Sequence, residues 1–209
     1  MRILVIVPIS GINDAQIEER MKFLRSIARP YTVLEYLQLK NGPPAIECPV
    51  DHLQASAEVI KHVKAAEDDG YDALISWCGG DPGVEEARTL VDIPVIGPGE
   101  AMHLLASYFG KKVGRIHHPL PVLNLRDDLS VTYRLTEEVI QKAVQEGYDT
   151  FYLDCLGMFG MGRPLREKTG LPVIDGGEAS ISLAEISVDL GLKPSRIAYP
   201  RYPPEHRRK

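Results

Sequence analysis

Two segments of this 209-residue chain repeat one another, and the repeat limits what the chain can fold into. Residues 70–80 read Gly-Tyr-Asp-Ala-Leu-Ile-Ser-Trp-Cys-Gly-Gly, and residues 147–157 read Gly-Tyr-Asp-Thr-Phe-Tyr-Leu-Asp-Cys-Leu-Gly. Each copy follows a helical pattern, passes through an apolar-biased run and reaches a cysteine with glycine close behind. Each is followed later by a Pro-Val-Ile piece, at Pro94-Val95-Ile96 and Pro172-Val173-Ile174. These elements in the same order predict two similar α/β halves. In each half a cysteine, Cys78 or Cys155, falls at the carboxyl end of a buried parallel strand, the end at which open α/β sheets bind ligands.

The rest of the chain continues the alternation of strand and helix. The apolar run at residues 2–7, stopped by Pro8, is a strand, and residues 14–28 carry Ile17, Met21, Leu24 and Ile27 at helical spacing. Further strands are predicted over 32–39, 71–77, 93–96, 111–116, 150–154 and 171–174, with an extended piece at 122–125. Helices are predicted from a cap at Asp51 to residue 69, over 84–90 and 100–109, from Thr136 to 146, near Leu165, and over 178–190. The fold class is therefore α/β, with two Rossmann-like parallel-sheet halves and a site between them. Residues 1–98, completed by 178–209, form the half carrying Cys78, and residues 99–177 form the half carrying Cys155. The tail from Pro194, with Arg196, Arg201, Arg207, Arg208 and Lys209, reads as a solvated end.

Composition excludes several function classes. A formal charge of −5 offers nucleic acid or an anionic membrane no general attraction. No apolar stretch approaches the roughly 20 residues that span a bilayer, and no leader precedes the first strand, so a soluble cytoplasmic protein is expected. Three cysteines, Cys48, Cys78 and Cys155, with no C-x-x-C, form no disulfide framework and suit a reducing compartment. Nucleotide loops of the G-x-G-x-x-G or G-x-x-x-x-G-K-[ST] kind are missing. The adjacent His117 and His118 lack a third ligand at readable spacing, so no metal is expected.

A cysteine between a strand and a helix meets free backbone N–H groups and a positive helix end, which favour thiolate. Glycines at 79, 80 and 157 let the backbone approach a small anion. Two such loops across a cleft form a symmetric acid/base device. One thiolate removes a proton from a stereocentre, and the other thiol returns a proton to the opposite face. Backbone donors then stabilise the enolate-like intermediate, with no metal and no cofactor.

The motifs that carry this device have a resemblance. Ser-Trp-Cys-Gly-Gly-Asp-Pro-Gly-Val-Glu-Glu-Ala-Arg, residues 76–88, resembles the first cysteine motif of the aspartate/glutamate/hydantoin racemase family. Leu-Asp-Cys-Leu-Gly-Met, residues 153–158, is similar to its second. Residues 42–47, 91–101 and 171–176 and the closing helix are similar to the hydantoin and allantoin racemase branch. The resemblance implies a cofactor-independent racemase or epimerase of a small anionic or amide-containing carbon acid, such as a hydantoin, allantoin or an amino acid. It implies Cys78 and Cys155 as the acid/base pair and a homo-oligomer. Ser10, Gly79, Gly80, Asp81, His117, Gly157 and Met158 are the candidate substrate contacts. Asp81 also has a turn-forming reading, Met158 a core reading, and Glu178 caps the last helix or faces the cleft. Cys48 is read as incidental.

The chain departs from that family in four places. Val7-Pro8-Ile9-Ser10 stands where the family has Asn-Pro-Asn-Thr, and His117-His118-Pro119 where it has hydroxyl residues. The second half is shortened between His118 and Val122, and Asp154 replaces a glycine. A carboxylate at 154 opposes thiolate formation at Cys155 if it points inward. The alternatives on the same scaffold are a cis-trans isomerase or decarboxylase of a small dicarboxylic acid, or a non-catalytic small-molecule-binding homologue.

Overall fold

A computed structural model describes residues 1–117 and 120–203. The first sheet has the order β2-β1-β3-β4, formed by β1 (Arg2–Val7), β2 (Val33–Gln38), β3 (Ala73–Ser76) and β4 (Val95–Ile96). All its strands are parallel, with Val5 of β1 opposite Tyr36 on one side and Ile75 on the other. Ile3 to Val7 are all buried because helices cover both faces. Alternation along the strand divides them. Ile3, Val5 and Val7 pack with α1 (Asp14–Ile27) and α7 (Gly176–Asp189), while Leu4 and Ile6 pack with α2 (Pro49–Asp68). A short helix, α3 (Val84–Arg88), closes that second layer through Val84 and Ala87.

The second sheet is three-stranded and parallel, β5 (Val113–Ile116), β6 (Thr150–Leu153) and β7 (Val173–Ile174). Its core gathers Ile116, Phe151, Leu153 and Val173 with Ile140 of α5 (Leu129–Gln145) and Leu165 of α6 (Gly162–Thr169). The remaining helix, α4 (Pro98–Phe109), leaves the first sheet and packs on β6 and α7. After β7 the chain returns, and α7 lies against α1, β3 and β4. Gly70 and Gly147, the matching glycines of the repeat, end α2 and α5 with φ of +79° and +84°, a left-handed turn that glycine adopts without strain.

Several boundaries differ from the sequence reading, each for a local reason. Asp51 is not the cap of α2. The helix starts at Pro49, and Asp51 in its first turn accepts the N–H groups of Glu47 and Cys48 at 3.0 and 3.1 Å. Residues 122–125 are not extended, because Val122–Asn124 forms a 3-10 turn that drives Leu125 into the core. α5 begins at Leu129 rather than Thr136, capped by Asp128. Thr132 and Thr136 are buried inside it, with hydroxyls donating to the carbonyls of Leu125 and Thr132 at 2.8 and 2.7 Å. Arg196 and Arg201 are not solvated ends, since both pair with Asp92. Arg207, Arg208 and Lys209 lie outside the described residues.

Candidate active site

The carboxyl ends of β1, β3, β5 and β6 open onto one cavity of about 450 Å³. Cys78 and Cys155 both line it, each two residues beyond the end of its strand. The Gly80 N–H points at the Cys78 sulfur and the Gly157 N–H at the Cys155 sulfur, both at 3.5 Å. The two loops touch. A Cβ built on Gly79 would lie 1.7 Å from the Asp154 carbonyl oxygen, so only glycine lets the first loop approach the second this closely.

Each loop is braced from behind. The Asp81 carboxylate accepts the N–H groups of Gly99 and Glu100 at 2.7 and 2.8 Å, which caps α4. Burial nonetheless pushes Asp81 up to about 6, against the pull of those two donors. His52 of α2 bonds the Gly80 carbonyl through Nε2 at 2.8 Å. On the other side Arg126 donates to the carbonyls of Gly157 and Phe159, both at 3.2 Å, and lies over the Phe159 ring at 3.7 Å. With its carbonyls drawn outward, the second loop turns the Gly157 N–H toward the sulfur. Asp175, which caps α7, accepts from Gly160 at 2.7 Å and from Gly177 at 2.8 Å.

The electrostatics correct the expectation that the loop donors favour thiolate. Burial pushes the Cys78 thiol up to about 12 and the Cys155 thiol up to about 11. One N–H at each sulfur pulls the other way but does not offset the desolvation. Asp154 does point inward. It lines the cavity, opposes ionisation at both thiols, and is held by Arg115 at 2.7 Å and His117 Nδ1 at 2.9 Å.

Of the candidate substrate contacts, Gly79, Gly80, His117 and Gly157 line the cavity. Ser10, Asp81 and Met158 are engaged elsewhere. The Ser10 hydroxyl donates to the Gly42 carbonyl at 2.9 Å, Asp81 caps α4, and Met158 is fully buried in the second core. Glu178 forms an ion pair with Arg166 at 2.7 Å. His118 lies outside the described residues. Cys48 is exposed at the start of α2 and reaches the cavity rim. The sequence reading did not single out Arg20, Glu47, His52 or Arg115, which also line the cavity. They sit on helix faces, a loop and a strand with no local motif, and only the tertiary fold brings them in. Among the described residues no cluster of His, Cys, Asp and Glu could hold a metal ion.

The family model for Asp/Glu/hydantoin racemases matches residues 15–117. Over 207 residues the chain is 30% identical to the hydantoin racemase of Pseudomonas sp. (strain NS671), covering 86% of this chain and 83% of that protein. The chain belongs to the Asp/Glu/hydantoin racemase family. Among solved members of related fold, the allantoin racemase of Pseudomonas fluorescens superposes with a TM-score of 0.90 at 26% identity, covering 98% of each chain. An aspartate racemase from Picrophilus torridus shares the fold at a TM-score of 0.54 and 14% identity, covering 94% of this chain and 97% of that one. The family thus accounts for the two parallel sheets. Among the described residues no helix is long and apolar enough to cross a membrane.

Proposed function

We propose that this chain racemises 5-monosubstituted hydantoins, allantoin included, by proton transfer between two thiols. The observation that carries the reading is the pair Cys78 and Cys155 on one cavity, each facing the N–H of the glycine two residues on. The similarity to hydantoin and allantoin racemases supports the substrate class. The C5 proton of a hydantoin lies next to a ring carbonyl and a ring nitrogen, and the cavity is large enough for the ring and a substituent. Val7, Ile9 and Ile12 give it an apolar wall.

In the first half-reaction a thiolate takes the C5 proton. The S–H bond forms, the C–H bond breaks, and its electron pair moves into the ring carbonyl as an enolate. The opposite thiol then gives its proton to the other face of C5, and its S–H pair stays on sulfur as the new thiolate. The enolate oxygen needs a donor at that moment. Gly79 lines the cavity, and its N–H has no hydrogen-bond partner among the described residues. No cofactor takes part.

The test is proton NMR in D2O, following loss of the C5 proton from each enantiomer of several 5-substituted hydantoins and allantoin above the uncatalysed rate. Racemisation lost in both Cys78→Ser and Cys155→Ser, with each variant exchanging at most the enantiomer whose C5 proton faces its remaining thiol, supports the reading. Full racemisation in either variant sinks it.

A further inference from the structure

We infer that Arg20 makes the two thiols unequal, so that the first thiolate of the pair forms on Cys155 and Cys78 stays the thiol. This rests on the two-thiol reading above and deepens it. Arg20 on α1 is only 8% exposed, yet it lines the cavity. The guanidinium donates to the Gln16 carbonyl of its own helix at 2.6 Å, and the Phe159 ring lies 5.4 Å away. Among the described residues it forms no direct ion pair, although Glu19, itself paired with Arg126, favours its charge, whereas the other buried charged side chains are satisfied. Asp175 takes backbone N–H groups, and Glu185 takes Arg29 and Thr32. A buried charge without a counter-ion is expensive to keep. It is retained here beside the second cysteine loop, where an anion forms during turnover.

The surroundings of the two sulfurs differ in sign. Cys155 is faced by Arg20, which favours its ionisation, and by Asp154 and Glu47, which oppose it. Glu47 is partly engaged, accepting the Val122 N–H at 2.8 Å. Cys78 is faced by Asp81, Asp154 and Cys155, all of which oppose its ionisation. His52 bonds the Gly80 carbonyl of the Cys78 loop, and Arg115 and His117 are tied to Asp154. Arg126 is tied to Glu19 at 2.5 Å and to loop carbonyls. Arg20 is therefore a positioning residue that acts through Cys155. For a substrate with one stereocentre the equilibrium constant is one, so kcat/KM is equal in both directions whichever thiol ionises first. Turnover alone does not reveal the asymmetry, and the thiols must be read singly.

The experiment is alkylation by iodoacetamide from pH 7 to 10, with the rate at each cysteine read by peptide mass spectrometry. It uses wild type, Arg20→Met and Arg20→Lys, each checked for a native circular dichroism spectrum. Wild type is expected to label Cys155 faster than Cys78. Arg20→Met is expected to lower the Cys155:Cys78 rate ratio about tenfold, the effect of moving one thiol by about one pH unit. Arg20→Lys keeps the charge and is expected to restore most of the ratio, which a purely structural role would not produce. Faster labelling of Cys78 in wild type overturns the inference, as does an unchanged ratio in folded Arg20→Met. If Arg20→Met does not fold, the wild-type order and Arg20→Gln decide. Labelling needs no substrate, so its failure is distinct from a failed exchange assay.

Discussion

Replacing Gly79 with alanine places a Cβ 1.7 Å from the Asp154 carbonyl oxygen, where an ordinary contact needs at least 3.4 Å. Both partners are backbone, so no rotamer relieves the clash and the two cysteine loops must part by about the same 1.7 Å. Proton transfer requires each sulfur to stay within reach of C5, and a misplacement of about 1 Å costs on the order of a hundredfold in rate. The expected result for Gly79→Ala is therefore a loss of about a hundredfold or more in kcat for C5 proton exchange. Overpacking of this kind destabilises by about 1–3 kcal/mol. In a domain of this size that lowers the melting temperature by about 2–12 °C and leaves the protein folded at 25 °C. Gly80→Ala is the graded control. Its Cβ would meet His52 Cδ2 at 3.4 Å and the Cys78 sulfur at 3.9 Å, both tolerable, so its loss should be much smaller. Exchange is followed by NMR beside a thermal melt of each variant. A folded Gly79→Ala enzyme that keeps more than about a tenth of the wild-type rate refutes the claim that the loops are held at contact for catalysis.

Three further outcomes follow from the site. With both thiols pushed well above the ordinary cysteine range, the thiolate fraction grows about tenfold per pH unit, so kcat/KM should climb steadily from pH 6 to 9. A flat profile, after subtraction of uncatalysed exchange, contradicts the thiol base. Asp154→Asn removes a carboxylate that opposes ionisation at both sulfurs, so alkylation of both cysteines at pH 8 should speed up several-fold, read by peptide mass spectrometry. Phe151 is fully buried in the second core, and Phe151→Ala should destabilise by about 3–5 kcal/mol in urea unfolding.

The repeated segment made both cysteines legible, because a strand, its ending cysteine and the glycine behind it are all local in the chain. The strands of both sheets were readable for the same reason, since their apolar runs are continuous. What escaped the sequence depends on partners far away in it. α5 was read too short because Thr136 resembles a cap, and only the buried carbonyls of Leu125 and Thr132 explain two threonines inside a helix. Ser10 looked like a substrate donor until the Gly42 carbonyl was seen to take its hydroxyl. Arg20 carries no local motif in the sequence. Its direction is set by how α1 packs over β1 and beside Phe159, which no periodicity specifies.

The return of α7 to the first sheet has a consequence for biosynthesis. Ala179, Ile181 and Ala184 cover the same layer as Ile3, Val5 and Ile75, so part of the amino-terminal sheet is roofed by a helix translated after both sheets. While the ribosome is still making the second sheet, α1 covers only part of that apolar face, and the part under α7 stays open. The nascent protein must then be shielded, or wait, until α7 has been made. Truncation just before Gly176 should accordingly yield an insoluble product rather than a smaller folded one, even though β1 to β7 would have been made.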